Sequence, residues 1–191
     1  MDPETDRCVL VRHGETAWSL TGQHTGRSDL PLVDEGVAQS ERLRGRLEGA
    51  TFAAVLCSPL GRAQETCRLA GLGDPVIDPD LAEWDYGEYD GRTTLEIRKE
   101  WPGWDLFVDG APGGESLGDV VARVDRVIAR VRAVDGDVVC VAHGHLLRVL
   151  AVRWAELDPT AGRSLLLDPA SLSVLDWERG RPTIRRWNTV G

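Results

Sequence analysis

Apolar and polar residues alternate along this chain in two rhythms. The first is a set of short unbroken apolar runs: Cys8-Val9-Leu10-Val11, Ala53-Ala54-Val55-Leu56-Cys57 and Val138-Val139-Cys140-Val141-Ala142. Runs of this length without alternation predict strands buried on both faces, the habit of a parallel sheet. The second rhythm has three- and four-residue steps. It is clearest over 115–134, where Leu117, Val120, Val121, Val124, Val127, Ile128 and Val131 make one face of a helix. Further helices are predicted from Asp34 to about 48, over 93–100 and from Leu146 to about 156. Ser58-Pro59 predicts a helix start, an N-cap residue followed by proline at the first helical position. Val76-Ile77 and Leu81 predict a short third strand. Residues 171–177 and 183–187 predict an antiparallel hairpin. Residues 14–33 and 82–92 predict loops, and 101–114 an irregular stretch.

Strands alternating with helices predict an α/β fold: three layers, α/β/α, around a mainly parallel sheet with an antiparallel edge. No repeat, low-complexity segment or linker interrupts the chain, so residues 1–191 are expected to form one domain. The length suffices for a sizeable core.

Composition narrows the partners. The net charge of −9 argues against nucleic acid and anionic membrane surfaces. Any anion site must be a local cluster of Arg and His working against that field. The four cysteines, Cys8, Cys57, Cys67 and Cys140, have no CxxC spacing, and three fall in predicted buried strands. They predict reduced core thiols rather than disulfides or a metal site. The acidic start Met1-Asp2-Pro3-Glu4-Thr5-Asp6 has no apolar leader segment, and no apolar run nears the ~20 residues of a spanning helix. A cytoplasmic location is expected, and the oligomeric state is left open.

The candidate chemistry gathers at strand ends. The first apolar run leads into Arg12-His13-Gly14, the second into Ser58-Pro59 and a helix bearing Arg62, and the last into His143-Gly144-His145. In a parallel sheet these ends share one edge, where open α/β sheets bind ligands. Two imidazoles, two guanidiniums and two helix N-termini would meet there. Helix N-termini and guanidinium forks both suit phosphate oxygens.

These stretches carry a resemblance. Leu10-Val11-Arg12-His13-Gly14-Glu15-Thr16 resembles the signature of the histidine phosphatase superfamily, which includes cofactor-dependent phosphoglycerate mutase and small acid phosphatases. Residues 58–66, from Ser58-Pro59 through Arg62, resemble its second motif; 81–91, with Glu83, its third; and Val141-Ala142-His143-Gly144 its fourth. All four occur in the family's order. The resemblance implies a phosphoglycerate mutase-like fold with neither cofactor nor metal. It makes His13 the nucleophile, Glu83 the acid and then base, and Arg12, Arg62 and His143 the groups that hold the phosphoryl oxygens. Ser19, Thr25, Gly26 and Gly144 are expected to help bind substrate. Each choice fits the chemistry: imidazole is a good nucleophile near neutral pH, and an alkoxide leaving group needs an acid. His24 and His145 are weaker candidates for substrate contact, and Trp18, Trp84, Trp101 and Trp104 for the pocket mouth.

Departures from the family pattern favour one branch. Ser19 stands where mutases and many phosphatases carry Asn, and Gln23 where Arg is common. The segment from Gly91 to Gly114 is shorter than the mutases' basic insertion and offers only Arg92, Arg98 and Lys99. An open pocket lets water reach a phosphohistidine. The expectation is therefore a metal-independent phosphomonoesterase of the acid phosphatase type and of broad specificity, acting on small phosphorylated metabolites and releasing inorganic phosphate. Its activity should rise toward mildly acidic pH. A phosphoglycerate mutase or a specific sugar-bisphosphatase is the alternative.

Overall fold

The structure, a computed structural model, describes residues 7–191; the acidic segment 1–6, expected to carry no leader, lies outside them. The chain runs β1 (Cys8–Arg12), α1 (Ala17–Thr21), α2 (Asp34–Arg46), β2 (Ala54–Cys57), α3 (Gly61–Leu69), β3 (Val76–Ile77), α4 (Thr94–Glu100), α5 (Leu106–Asp109), α6 (Leu117–Arg132), β4 (Val138–Ala142), α7 (Gly144–Trp154), β5 (Leu172–Glu178) and β6 (Arg181–Thr189). Short 3-10 turns stand at Pro79–Leu81, Gly87–Tyr89 and Pro159–Ser164.

One six-stranded sheet has the order β3-β2-β4-β1-β5-β6. The pairs β3·β2, β2·β4 and β4·β1 are parallel, whereas β5 and β6 add an antiparallel edge. The unbroken apolar runs follow from burial on both faces. In β4, Val138, Cys140 and Ala142 enter the core on one side, while Val139 and Val141 enter the core on the other. The first core packs against α6 and α7 and holds Trp84, Trp104 and Trp154; the second holds Leu43 of α2 and Ala63 and Cys67 of α3. This is the expected three-layer arrangement. All four cysteines are free and buried, and among the described residues no helix is long and apolar enough to cross a membrane.

Two boundaries differ from the sequence pattern in ways that shape the site. The stretch after Gly14 is not all loop: Thr16 and Ser19 form a capping box that starts α1. Ser58 does not cap a helix; α3 begins at Gly61, three residues later, which leaves the Ser58 hydroxyl for another partner. Close packing then fixes the loop after β1. Gly36 of α2 lies against Glu15, and a Cβ there would sit 2.1 Å from the Glu15 carbonyl oxygen. Only a residue without a side chain permits that approach.

Candidate active site

Residues at the ends of β1 and β4 and in the loops facing them line a cavity of about 250 Å³. His13 stands on its wall. The imidazole Nδ1 lies 2.7 Å from the Gly14 carbonyl oxygen, which can only accept, so Nδ1 carries the proton. Nε2 is left with a free lone pair. Burial, with the charges of Arg12 and Arg62, pushes the His13 pKa well below the ordinary histidine range, so the ring is neutral at physiological pH. Next to it, Arg12 donates through Nη1 to the Leu167 carbonyl, and its Nε is buried with no partner among the described residues. Gly144 lies flat beneath this guanidinium; a Cβ there would meet Arg12 Cζ and Nε at 3.5 Å. An unpaired buried donor is costly unless something fills it.

Glu83 comes from the loop after the Pro79–Leu81 turn. Its carboxylate sits at the start of α7: Oε1 accepts from Leu146 N at 2.9 Å and from Trp84 N at 2.8 Å, and Oε2 from His145 N at 3.1 Å. A helix N-terminus has N–H groups to spare, and a carboxylate is a favoured occupant. Arg123, reaching from α6, holds this loop from behind. It donates to the carbonyls of Asp80, Ala82 and Glu83 and pairs with both carboxylate oxygens of Glu115.

Arg62 and His143 lie near this pocket but not on its wall. Arg62 is almost wholly buried. It donates to the carbonyls of Thr25, Gly26 and Ser28, to Asp29 Oδ1 and to Nδ1 of His143. His143 then lies 2.7 Å from the Ser58 hydroxyl through Nε2, and its ring centroid is 5.0 Å from that of His13. The expectation that Arg62 and His143 hold phosphoryl oxygens thus meets a structure in which protein groups already engage their nitrogens.

The other expected binding residues divide. Ser19, Thr25 and Gly144 line the cavity, and Gly26 does not. The Ser19 hydroxyl is committed to the cap of α1, accepting from Thr16 N and donating to Thr16 O. Gly26 serves packing: a Cβ there would stand 2.9 Å from Cδ2 of Tyr86. The far wall is formed by His24, Tyr86, His145 and Arg148, with Gln23 and Thr94. All four histidines of the chain therefore gather at this site. The sequence pattern does not single out Arg148, because it predicts that α7 begins at Leu146. With the helix starting at Gly144, positions 144 and 148 share a face one turn apart. Of the tryptophans, Trp84 and Trp104 are buried behind the wall, and neither Trp18 nor Trp101 lines the cavity.

The profile of the histidine phosphatase superfamily, branch 1, matches residues 8–190. The chain belongs to this family. An acid phosphatase of Mycobacterium tuberculosis is 40% identical over 185 residues, covering 94% of this chain and 91% of the relative. A sedoheptulose 1,7-bisphosphatase of Saccharomyces cerevisiae is 36% identical, covering 78% of this chain and 68% of its own. Among solved structures, the product of an open reading frame of Mycobacterium tuberculosis superposes with a TM-score of 0.92 at 38% identity, covering 97% of this chain and 98% of that one. The fold expected from the four motifs, a phosphoglycerate mutase-like histidine phosphatase with a mostly parallel sheet and an antiparallel edge, is the fold found.

Proposed function

We propose that this chain, as a single domain, is a metal-independent phosphomonoesterase of the acid phosphatase type, acting on small phosphorylated metabolites through a phosphohistidine at His13. The observation that carries the reading is the orphaned Nε of Arg12 beside an imidazole whose Nδ1 is already bonded to Gly14. A phosphoryl oxygen would fill the first while the phosphorus meets the free Nε2 of the second. Likeness to the M. tuberculosis acid phosphatase supports the hydrolytic branch.

The reaction balances with the groups present. Nε2 attacks phosphorus, and the bond from phosphorus to the ester oxygen breaks. The leaving oxygen keeps the electron pair and takes a proton from the acid form of Glu83. Oε2 is suited to deliver it, since it accepts one backbone bond where Oε1 accepts two. Water then attacks phosphorus, gives its proton to Glu83 and returns the lone pair to Nε2 as phosphate leaves. Arg12, with its unpaired Nε, stabilises charge spread over the phosphoryl oxygens. Arg62 and His143 act from behind the wall, lending positive charge and fixing the ring beside His13. The cavity is small against the ~300–1,000 Å³ of ordinary ligand pockets, which favours metabolites over bulky phosphopolymers.

The test is phosphate release from p-nitrophenyl phosphate and a panel of phosphorylated metabolites in excess EDTA. An acid-labile phosphoenzyme should appear in wild type and not in His13→Ala. With 3-phosphoglycerate and a trace of 2,3-bisphosphoglycerate, free phosphate supports this reading, and 2-phosphoglycerate would replace it with a mutase.

A further inference from the structure

The far wall of the cavity has a feature that phosphate binding leaves unused. His145 lines the cavity beside Glu83, and its Nδ1 lies 2.6 Å from the hydroxyl of Tyr86. Tyr86 is fully buried, and this nitrogen is the one partner of its hydroxyl among the described residues. Burial also pushes the Tyr86 pKa well above its ordinary value, so the phenol keeps its proton. A buried O–H without an acceptor is expensive, so the phenol donates to Nδ1. The His145 proton then sits on Nε2. Burial and the charge of Arg148 keep the ring neutral by lowering its pKa well below the histidine range. Packing against Tyr86 and Phe107, at 5.7 Å for each pair of centroids, fixes the ring. The result is an oriented, neutral N–H donor with no partner among the described residues.

Its neighbours have the same character. His24 approaches the Thr94 hydroxyl at 3.2 Å through Nε2, and burial lowers its pKa to about 4, so it too is neutral. Arg148 is the one guanidinium on this wall, and its Nε and Nη2 are spent on the carbonyls of Gly162 and Arg163. Neutral donors and acceptors suit hydroxyl groups, which both give and take hydrogen bonds. A second phosphate would find a single guanidinium here, already anchored to carbonyls through two of its three nitrogens.

We propose that His145, oriented by Tyr86, binds a hydroxyl group on the leaving-group side of the substrate, so that the enzyme selects phosphate monoesters of polyols over those of plain alcohols and over bisphosphates. This rests on the phosphatase reading above. His145 is the specificity-determining residue and Tyr86 a positioning residue. The backbone N–H of His145 holds Glu83 whatever side chain stands there, so side-chain variants separate recognition from catalysis.

The experiment compares glycerol 1-phosphate with propyl phosphate, which has the same carbon skeleton without the hydroxyls and is likewise a primary alkyl ester that needs its leaving oxygen protonated. The difference in leaving group is common to wild type and variants, so the change in ratio reads the subsite. Wild type should favour the glycerol ester by about tenfold or more in kcat/KM. His145→Leu should bring the ratio near one, His145→Gln, which keeps an N–H donor, should retain most of it, and Tyr86→Phe should lower it. Equal turnover of the two esters by wild type overturns the proposal. So does His145→Leu lowering both in parallel, which marks a merely structural role. A tenfold preference for fructose 1,6-bisphosphate over fructose 6-phosphate overturns the assignment to neutral hydroxyls. If none of these esters releases phosphate in a His13-dependent way, the phosphatase reading falls, and the subsite with it.

Discussion

Arg62 donates through Nε to Nδ1 of His143 across 3.3 Å, and with that bond the guanidinium has no proton left to give. Its other four N–H groups go to Thr25, Gly26, Ser28 and Asp29. One side chain thus ties the loop before Asp29 to the imidazole behind His13. Replacing it leaves three buried or half-buried carbonyls and a ring nitrogen unpaired. Arg62→Ala should destabilise the fold by about 3 kcal/mol or more and lower kcat/KM by roughly 100-fold through misplacement of the site. Arg62→Lys keeps the charge but not the five-donor fork. It should resemble Arg62→Ala in denaturant unfolding and in kinetics. Near-wild-type behaviour of the lysine variant would assign Arg62 to charge alone.

Arg123 plays the corresponding part for Glu83, through the carbonyls at 80, 82 and 83. If Glu83 supplies a proton in the chemical step, loosening its loop affects kcat rather than binding. Arg123→Lys should reduce kcat on an alkyl phosphate by roughly 10–100-fold with KM little changed. The loss should be smaller on p-nitrophenyl phosphate, whose leaving group needs less protonation. Steady-state kinetics on both esters check this. A rise in KM with kcat intact would place Arg123 in substrate binding instead.

The parts of this site legible in the sequence are those set by local rules. The runs ending at Val11, Cys57 and Ala142 are strands because nothing polar interrupts them, and parallel pairing brings their ends together. The face of α6 is plain from its apolar steps, which its buried residues follow. What the pattern hid depends on long-range contacts. Ser58-Pro59 has the form of a helix start, yet the serine bonds His143, 85 positions away. Arg123 sits on an otherwise apolar face because it holds a loop 40 to 43 residues away in the chain. Tyr86 lies within the third motif and His145 directly after the fourth, yet nothing local pairs them; only the folding of the 82–92 loop over α7 joins them.

Clustering every histidine at one buried site has a cost in acid. His24 has its pKa lowered to about 4 by burial, Asp90 only partly opposing the shift. In the unfolded chain it titrates near ~6.5. Between those values the unfolded state takes up a proton that the folded state refuses, so stability falls as pH drops from 6.5 toward 4. At about 1.4 kcal/mol per pH unit, His24 alone accounts for roughly 3 kcal/mol over that window. Burial lowers His13, His143 and His145 in the same direction. Tm measured from pH 7 to pH 4.5 should fall steeply, and less steeply in His24→Asn. A flat profile in wild type would show that these rings protonate freely in the folded protein.

The same lowering of His13 sets the shape of the rate profile. An ordinary imidazole nucleophile would be lost to protonation below about pH 6.5, and kcat/KM would fall with it. Here burial and the charges of Arg12 and Arg62 hold the ring neutral well below that pH. No loss of the nucleophile to protonation is then expected in mild acid, so kcat/KM for an alkyl phosphate should show no break near pH 6.5 between pH 8 and pH 5. Weakening the field on His13 should restore the break: Arg12→Gln, besides binding phosphate more weakly, should move the acid-side loss toward pH 6.5. The measurement is kcat/KM against pH for both proteins. A wild-type profile that turns down at 6.5 would mean that His13 is solvated as the enzyme works.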